Sequence, residues 1–307
     1  MAKKSKSGRD LHGLLVLDKP LGLSSNHALQ RVKRLLNAKK VGHTGTLDPL
    51  ATGALVLCFG RATKMADHVT EADKTYHVVA KLGEQTETGD QEGQITNRQN
   101  VTQEHLDRLV SVVQGFVGKI EQLPPMYSAL KKDGVPLYKL AREGKSVPRT
   151  PRFVQIHSIE INGVDGDRVG MKVTCTKGTY IRTLVEDIGA KLGCYAHVAE
   201  LRRLSVGHFG ERYPMIDIDA LERYGNQPAY NVQRMLLPIE TAFLDYPVYQ
   251  MKNALILALE QGMALKYPPK VKCPHIRIYD TDQVLRGLGT RNSHNNIDFN
   301  RQISQVL

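Results

Sequence analysis

Asp48 is the residue whose surroundings best fit it for chemistry. It stands in Gly42-His43-Thr44-Gly45-Thr46-Leu47-Asp48-Pro49-Leu50-Ala51-Thr52-Gly53, where three glycines and a proline describe a tightly shaped loop. Glycine admits a positive φ, and proline fixes its own φ while restricting the residue before it, which here is Asp48. A carboxylate on a backbone with few alternatives needs little ordering at the moment of reaction. The plainer reading of Asp-Pro is the start of a turn. The apolar run Ala54-Leu55-Val56-Leu57-Cys58-Phe59 follows at once and reads as a buried strand, which would set the loop on the rigid edge of a sheet.

A nucleophilic or basic aspartate must stay ionised in a cleft, and a neighbouring arginine achieves this by favouring the charged form. Arg182 is the best candidate, because it follows Lys177-Gly178-Thr179-Tyr180-Ile181 at a junction of strand, glycine and helix start. Its rival reading is a surface cation, which a helix start disfavours. An aromatic beside the carboxylate would hold a planar group by stacking, and a nucleobase is the planar group that a basic protein meets most often. Tyr76 could do this; in the alternating Thr75-Tyr76-His77-Val78-Val79-Ala80-Lys81-Leu82 it equally fits an ordinary half-buried strand aromatic. Chemistry on a base or its glycosidic carbon needs that nucleotide out of its stack, and hence a displacing side chain. His43 is placed on the loop for this; the plainer reading is a hydrogen-bonded loop histidine.

The bulk properties agree with such a partner. The chain has 307 residues and a formal net charge of +11, which suits a polyanion, nucleic acid before membrane; the rival reading is charge for general solubility. No apolar run approaches a membrane span, so the protein is expected to be soluble. The basic start, Met1 to Asp10, has no apolar segment fit for a signal peptide, which argues for the cytoplasm. Cys58, Cys175, Cys194 and Cys273 lie far apart without a CxxC pair, so neither a disulfide framework nor a zinc site is suggested. Gly60-Arg61-Ala62-Thr63-Lys64 lacks the GxxxxGK[ST] pattern, which rejects a nucleoside triphosphate site.

The elements that must hold these residues are legible in outline. Leu14 to Leu17 reads as a strand ended by a turn at Asp18-Lys19-Pro20-Leu21-Gly22, and Ser24 or Ser25 offers an N-cap for a helix over 25–36. Gly60 opens a short helix to about Ala72, Thr88-Gly89-Asp90-Gln91-Glu92-Gly93 reads as a turn or exposed loop, and 102–116 as an amphipathic helix. From Pro124 to Arg152 seven Lys and Arg residues oppose Asp133 and Glu143, with Tyr127 and Tyr138 between them. This suits an exposed arm that grips a backbone and stacks on bases, or else a surface insertion without a ligand. Strands over 153–162 and 168–176 are joined by Asp165-Gly166-Asp167. Leu201-Arg202-Arg203-Leu204 is expected to precede a strand from Ser205 to Phe209, and 215–246 to be helical. Tyr246-Pro247-Val248-Tyr249 looks like a boundary before a small appended unit.

Gly42 to Gly53 closely resembles the catalytic motif of the TruB family of tRNA pseudouridine synthases. The resemblance extends to Leu17-Asp18-Lys19-Pro20 with Gly22 and Ser24-Ser25, to Lys74-Thr75-Tyr76, to Pro125-Met126-Tyr127-Ser128-Ala129-Leu130-Lys131, to Lys177 through Arg182 and to Leu201 through Leu204, in order. It implies the pseudouridine synthase α+β fold, a long mixed but mainly antiparallel sheet around a central cleft. Residues 1–248 would form the catalytic domain, with a thumb at about 124–152 that clamps RNA, and residues 249–307 a small PUA-like unit, although this last stretch departs from a strong match. The implied reaction is isomerisation of uridine to pseudouridine at position 55 in the T-loop of tRNA, by a monomer, without cofactor or metal. Asp48 would match the catalytic aspartate and Arg182 its partner. Tyr76 would stack on the flipped base and take part in proton removal, while Tyr180 and Leu201 line the uracil pocket. His43 would support the RNA where the uridine has left, and Lys19 and Pro20 would brace the loop. Two rivals remain: an RNA-binding protein that keeps the fold without the reaction, and a synthase guided by a separate RNA within a larger particle.

Overall fold

A computed structural model of the chain describes residues 8–225 and 232–300. The start of the basic N-terminal stretch, part of the segment expected to be helical over 215–246, and the end of the Asn- and Gln-rich tail lie outside the described residues. In chain order β1 (Gly13–Lys19), α1 (Ser25–Leu35), β2 (Val41–Thr44) and β3 (Thr52–Phe59) come first. Next are α2 (Ala66–Glu71), β4 (Lys74–Leu82), β5 (Glu84–Thr86), β6 (Ile95–Arg98), α3 (Gln103–Gln114) and β7 (Gly118–Gln122). The basic segment holds a small hairpin of β8 (Lys131–Lys132) and β9 (Val135–Pro136) and then α4 (Leu137–Arg142). It leads to β10 (Arg152–Asp165), β11 (Arg168–Cys175), α5 (Ile181–Leu192), β12 (Ala196–Val206) and α6 (Ile218–Gly225). The chain continues with β13 (Val248–Gln250), α7 (Asn253–Glu260), β14 (His275–Tyr279), β15 (Leu285–Arg291) and β16 (Ile297–Asn300).

Eight strands form one mixed sheet in the order β1-β3-β12-β4-β11-β10-β7, with β2 also on β3. Its pairs are antiparallel except β12 with β3, which run parallel at Arg202 opposite Thr52 and Arg203 opposite Gly53. Side chains alternate faces along a strand, so on β4 the even positions Lys74, Val78, Ala80 and Leu82 are buried, and Tyr76 shares their face. The mixed, mainly antiparallel α+β architecture expected from the sequence is the one found. Helix α5 docks on this face through Leu184, Val185 and Ile188, and Gly189 lets it approach closely: a Cβ there would lie 2.4 Å from the Ala196 amide nitrogen. Helix α1 starts where Ser24 accepts a bond from the His27 amide at 3.2 Å, and buries Ala28, Leu29 and Val32.

The second sheet, β13-β14-β15-β16, encloses its own core of Ile256, Tyr267, Ile276 and Ile278. Leu285 and Leu288 of β15 instead join Leu14, Val56, Phe209 and Phe243 of the main body, so the two sheets share apolar contacts.

Five local expectations need correction. The strand expected at Ser205 to Phe209 is the end of a longer one, β12 (Ala196–Val206), which begins nine residues earlier and contains Leu201 to Leu204. The adjacent arginines hide its period, because Arg203 occupies an inward position and meets backbone carbonyls there. Strand β3 is interior, with β1 on one side and β12 and β2 on the other. The stretch from Gly60 is a 3₁₀ turn to Lys64 followed by the separate α2, and beyond α6 the chain makes 3₁₀ turns at Val232–Met235 and Ile239–Phe243. Finally, the loop Thr88 to Gly93 is not simply exposed, since Asp90 is buried.

One glycine ties the loop to the sheet. Gly53 has φ +96°, and a Cβ on it would fall 2.2 Å from the Arg203 carbonyl oxygen. Both strain and clash oppose any side chain. Gly53→Ala is expected to lower stability by about 3 kcal/mol, read as a lower urea midpoint with an unchanged slope.

Candidate active site

The loop that carries Asp48 is fixed from below by two side chains. Ser25, at the start of α1, accepts from the Leu47 amide at 2.7 Å and donates to the Leu47 carbonyl at 2.9 Å. Lys19 is fully buried and donates to the carbonyls of Pro20 at 2.8 Å, Leu23 at 2.7 Å and Pro49 at 3.4 Å. Burial pushes its ammonium down to about 8 while the nearby Asp48 opposes the shift. Gly45, at φ +77°, turns the chain into the loop, and the Ala51 amide closes it on the Asp48 carbonyl at 3.1 Å. Of these bonds, those to Pro20 and Leu23 hold the turn between β1 and α1, and the one to Pro49 ties that turn to the Asp48 loop.

Arg182, the second residue of α5, is buried rather than a surface cation. Its Nη2 lies 3.0 Å from Asp48 Oδ2, and its Nη1 lies 3.5 Å from Asp90 Oδ2. The same fork donates to the carbonyls of Thr88 and Tyr127, both at 2.7 Å. One guanidinium therefore joins the Asp48 loop, the Thr88 to Gly93 loop and the start of the basic arm. The Asp48 side chain is 36 % exposed and opens toward the cavity, whereas that of Asp90 is 5 % exposed. Burial raises the Asp48 carboxyl above its ordinary value; Arg182 pulls it back, and Asp90 adds to the rise.

Above these groups lies a cavity of about 790 Å³, within the ~300–1,000 Å³ of small-ligand sites. Asp48, Tyr76, Tyr180, Arg182 and Leu201 all line it, which brings together five of the six candidate site residues. Tyr76 comes from β4 and Leu201 from β12, neighbouring strands on one face. Tyr180 precedes α5, and Gln122 at the end of β7 clamps its backbone. The Gln122 amide donates to the Tyr180 carbonyl at 3.2 Å and its oxygen accepts from the Tyr180 amide at 3.0 Å. The Arg152 guanidinium covers the Tyr180 ring at 4.8 Å. Tyr127, Leu130, Tyr138 and Arg142 of the basic segment form another wall, so the arm borders the cavity.

His43 is the exception. It sits on β2 opposite Leu57, outside the cavity lining. Burial, with Arg203 adding to it, holds its imidazole below the usual range, which keeps it neutral at physiological pH.

Three residues escaped the sequence reading. Asp90 looked like a loop carboxylate, although Gly89 and Gly93 around it signal a shaped loop. Gln122 had no signal beyond being a polar residue at an inward strand position. Arg203 was visible only as part of a motif; it is 1 % exposed, and donates from Nε to the Ala54 carbonyl at 2.6 Å and from Nη2 to the Gly45 carbonyl at 3.1 Å.

Comparison with known proteins agrees with this geometry. Residues 33–181 match the TruB family pseudouridylate synthase N-terminal domain, and residues 182–244 the tRNA pseudouridylate synthase B C-terminal domain. The tRNA pseudouridine synthase B of Pseudomonas fluorescens is 45% identical over 291 residues, 94% of either chain. That of Shewanella amazonensis is 47% identical over 272 residues, covering 85% of this chain and 84% of the relative. Among solved structures, a Cbf5-Nop10-Gar1 complex contains a chain similar at TM-score 0.73 and 27% identity, over 94% of this chain and 84% of that one. An archaeal box H/ACA sRNP Nop10-Cbf5 complex gives TM-score 0.68 at 26% identity, over 95% and 86%. With 45% identity over 94% of its length, two contiguous domain matches and a cavity that gathers the aspartate, arginine and tyrosine of the motifs, the chain belongs to the TruB family of pseudouridine synthases.

Proposed function

We propose that the protein isomerises uridine to pseudouridine at position 55 in the T-loop of tRNA, acting as a monomer in the cytoplasm. The observation that carries this reading is the shared cavity of Asp48, Tyr76 and Arg182, in a chain 45% identical to proteins named tRNA pseudouridine synthase B. Asp48 is the reacting carboxylate, held ionised and aimed by Arg182. Tyr76 stacks on the extruded uracil, with Tyr180 and Leu201 closing the pocket around it. His43, neutral and close to the loop, supports the RNA at the place the uridine leaves. The arm over 124–152 clamps the T-arm, in keeping with its excess of cations and with the net charge of +11. The unit from 249 to 307 is read as a PUA-like second RNA contact beside a catalytic domain spanning 1–248.

Isomerisation exchanges the hydrogen on uracil carbon five, so tritium placed there is released to water on each turnover. A T-arm stem-loop labelled at that position should release it, and a stem-loop with cytidine at position 55 and label at the other uridines should not. Release from the second RNA alone would overturn the position assigned.

The pH dependence follows from the charge state. The reaction needs the Asp48 carboxylate, and this form is lost as pH falls through a value raised by burial above the ordinary 3.8. The acid limb of kcat/KM should therefore lie above the range of an exposed aspartate, with activity rising toward neutrality. A limb at or below 3.8 would contradict the assigned environment.

A further inference from the structure

Arg203 stands out among the buried charges. A buried cation ordinarily has a carboxylate partner, because desolvation of an isolated charge is costly. Its neighbour Arg202, on the opposite face of β12, shows the ordinary arrangement: a two-pronged pair with Asp18 at 2.9 and 2.7 Å. Arg203 forms no ion pair among the described residues, and the Ala54 and Gly45 carbonyls to which it donates are neutral. Three basic groups near it, Lys74, Lys19 and His43, are pushed down first by burial, and Arg203 adds to each shift.

The remaining neighbour is Tyr76. Arg203 and Tyr76 stand directly opposite in the β12–β4 register, where side chains share a face, and both line the cavity. Burial raises the Tyr76 phenol, and Arg203 is the largest influence acting the other way. The guanidinium cannot drift from this place, since its Nε and Nη2 bonds tie it to the strand and to the catalytic loop.

We propose that Arg203 is a positioning residue whose buried charge is balanced, during the proton step of the reaction, by the phenolate of Tyr76. The inference rests on the function proposed above. When uracil rejoins the ribose through carbon five, that carbon becomes tetrahedral and bears both C1′ and its proton, with N1 doubly bonded to carbon six. The Tyr76 phenolate oxygen takes the proton. The C–H electron pair becomes the bond between carbons five and six, the N1 pair returns to nitrogen, and N1 takes a proton from water. Loss of that water proton's counterpart from the Tyr76 hydroxyl to solvent restores the phenolate, so no proton is gained or lost overall. Arg203 stabilises the charged form of the tyrosine before this transfer and keeps the ring over the base.

The test compares the unchanged protein with Arg203→Lys on a T-arm stem-loop bearing hydrogen or deuterium at carbon five of uridine 55. The unchanged protein must first form pseudouridine; if it does not, the proposed function fails before this inference is reached. Arg203→Lys should lower kcat about 100-fold, with KM within about threefold, because an ammonium cannot serve both carbonyls and the phenol. It should also gain a larger deuterium effect, and its rate should rise with pH where that of the unchanged protein is level. Replacement of Tyr76 by a fluorinated, more acidic tyrosine in this variant should move the profile back. A slower variant with neither isotope nor pH change would show a merely structural arginine and overturn the inference, as would full activity. Should Arg203→Lys fail to fold, fluorotyrosine at 76 in the otherwise unchanged protein decides: a rise of the rate with pH that moves to lower pH supports the phenolate, and an unmoved profile overturns it.

Discussion

Asp48→Asn is expected to abolish pseudouridine formation, lowering the single-turnover rate on the order of 10⁴-fold or more, while tRNA is bound nearly as well as by the unchanged protein. The substitution keeps the shape of the side chain and can still accept a bond from Arg182, so loop and cavity should persist. What it removes is the charge that makes the oxygen reactive. Binding, in contrast, is proposed to rest on the cations of the arm and on the aromatic residues lining the cavity, none of which depends on this carboxylate. Filter binding and product analysis on the same preparation separate the two effects. Turnover within about tenfold of the unchanged rate would remove Asp48 from the chemistry.

The second large effect is expected at Arg182. Its guanidinium meets two carboxylates and two carbonyls at 2.7 to 3.5 Å, in an almost fully buried position. Arg182→Met leaves Asp48 and Asp90 without the guanidinium that both of them pair with, and loss of one partner of a buried pair costs about 3–5 kcal/mol. Unfolding in urea should show this as a lower midpoint. Arg182→Lys restores the charge yet not the planar fork, so stability should recover in part while kcat stays about 10²–10³-fold low. Near-full activity of the lysine variant would refute the two-pronged role. A second consequence is specific to this geometry: Asp90→Asn should soften the stability loss of Arg182→Met, since the two sites share one partner and their effects cannot be additive.

Much of this was legible in the residues themselves, for a physical reason. The Asp48 loop is shaped by local chemistry, with glycine at positive φ and proline after the acid, and local rules survive folding. Alternation on β4 put Tyr76 on a defined face, and the glycine before α5 marked Arg182 as a residue at a fixed junction. The partners of those residues were less legible. Asp90 lies four positions beyond the end of β5 in a loop whose burial depends on α5, and nothing within Thr88 to Gly93 declares the ion pair with Arg182. Arg203 defeats period counting because a charged residue stands where an apolar one is expected, and the carbonyls that make it tolerable come from β3 and the loop, about 150 residues earlier. Gln122 is similar: its clamp on Tyr180 joins β7 to the start of α5 across 58 positions. His43 is also informative, since its place in sequence beside the loop sets it on β2 near the site but not in the cavity wall.

The central claim is that a uracil swung out of the T-loop lodges between the Asp48–Arg182 pair and the Tyr76 ring. A crystal structure of the protein with a T-arm stem-loop bearing 5-fluorouridine at position 55 tests it most directly, because fluorine at carbon five blocks loss of the proton there. The account predicts the modified base inside the cavity, its ring against Tyr76 and its ribose C1′ or ring carbons about 3–3.5 Å from an Asp48 carboxylate oxygen. A base still stacked in the loop, or seated away from Asp48 on the arm or on the C-terminal sheet, would contradict it.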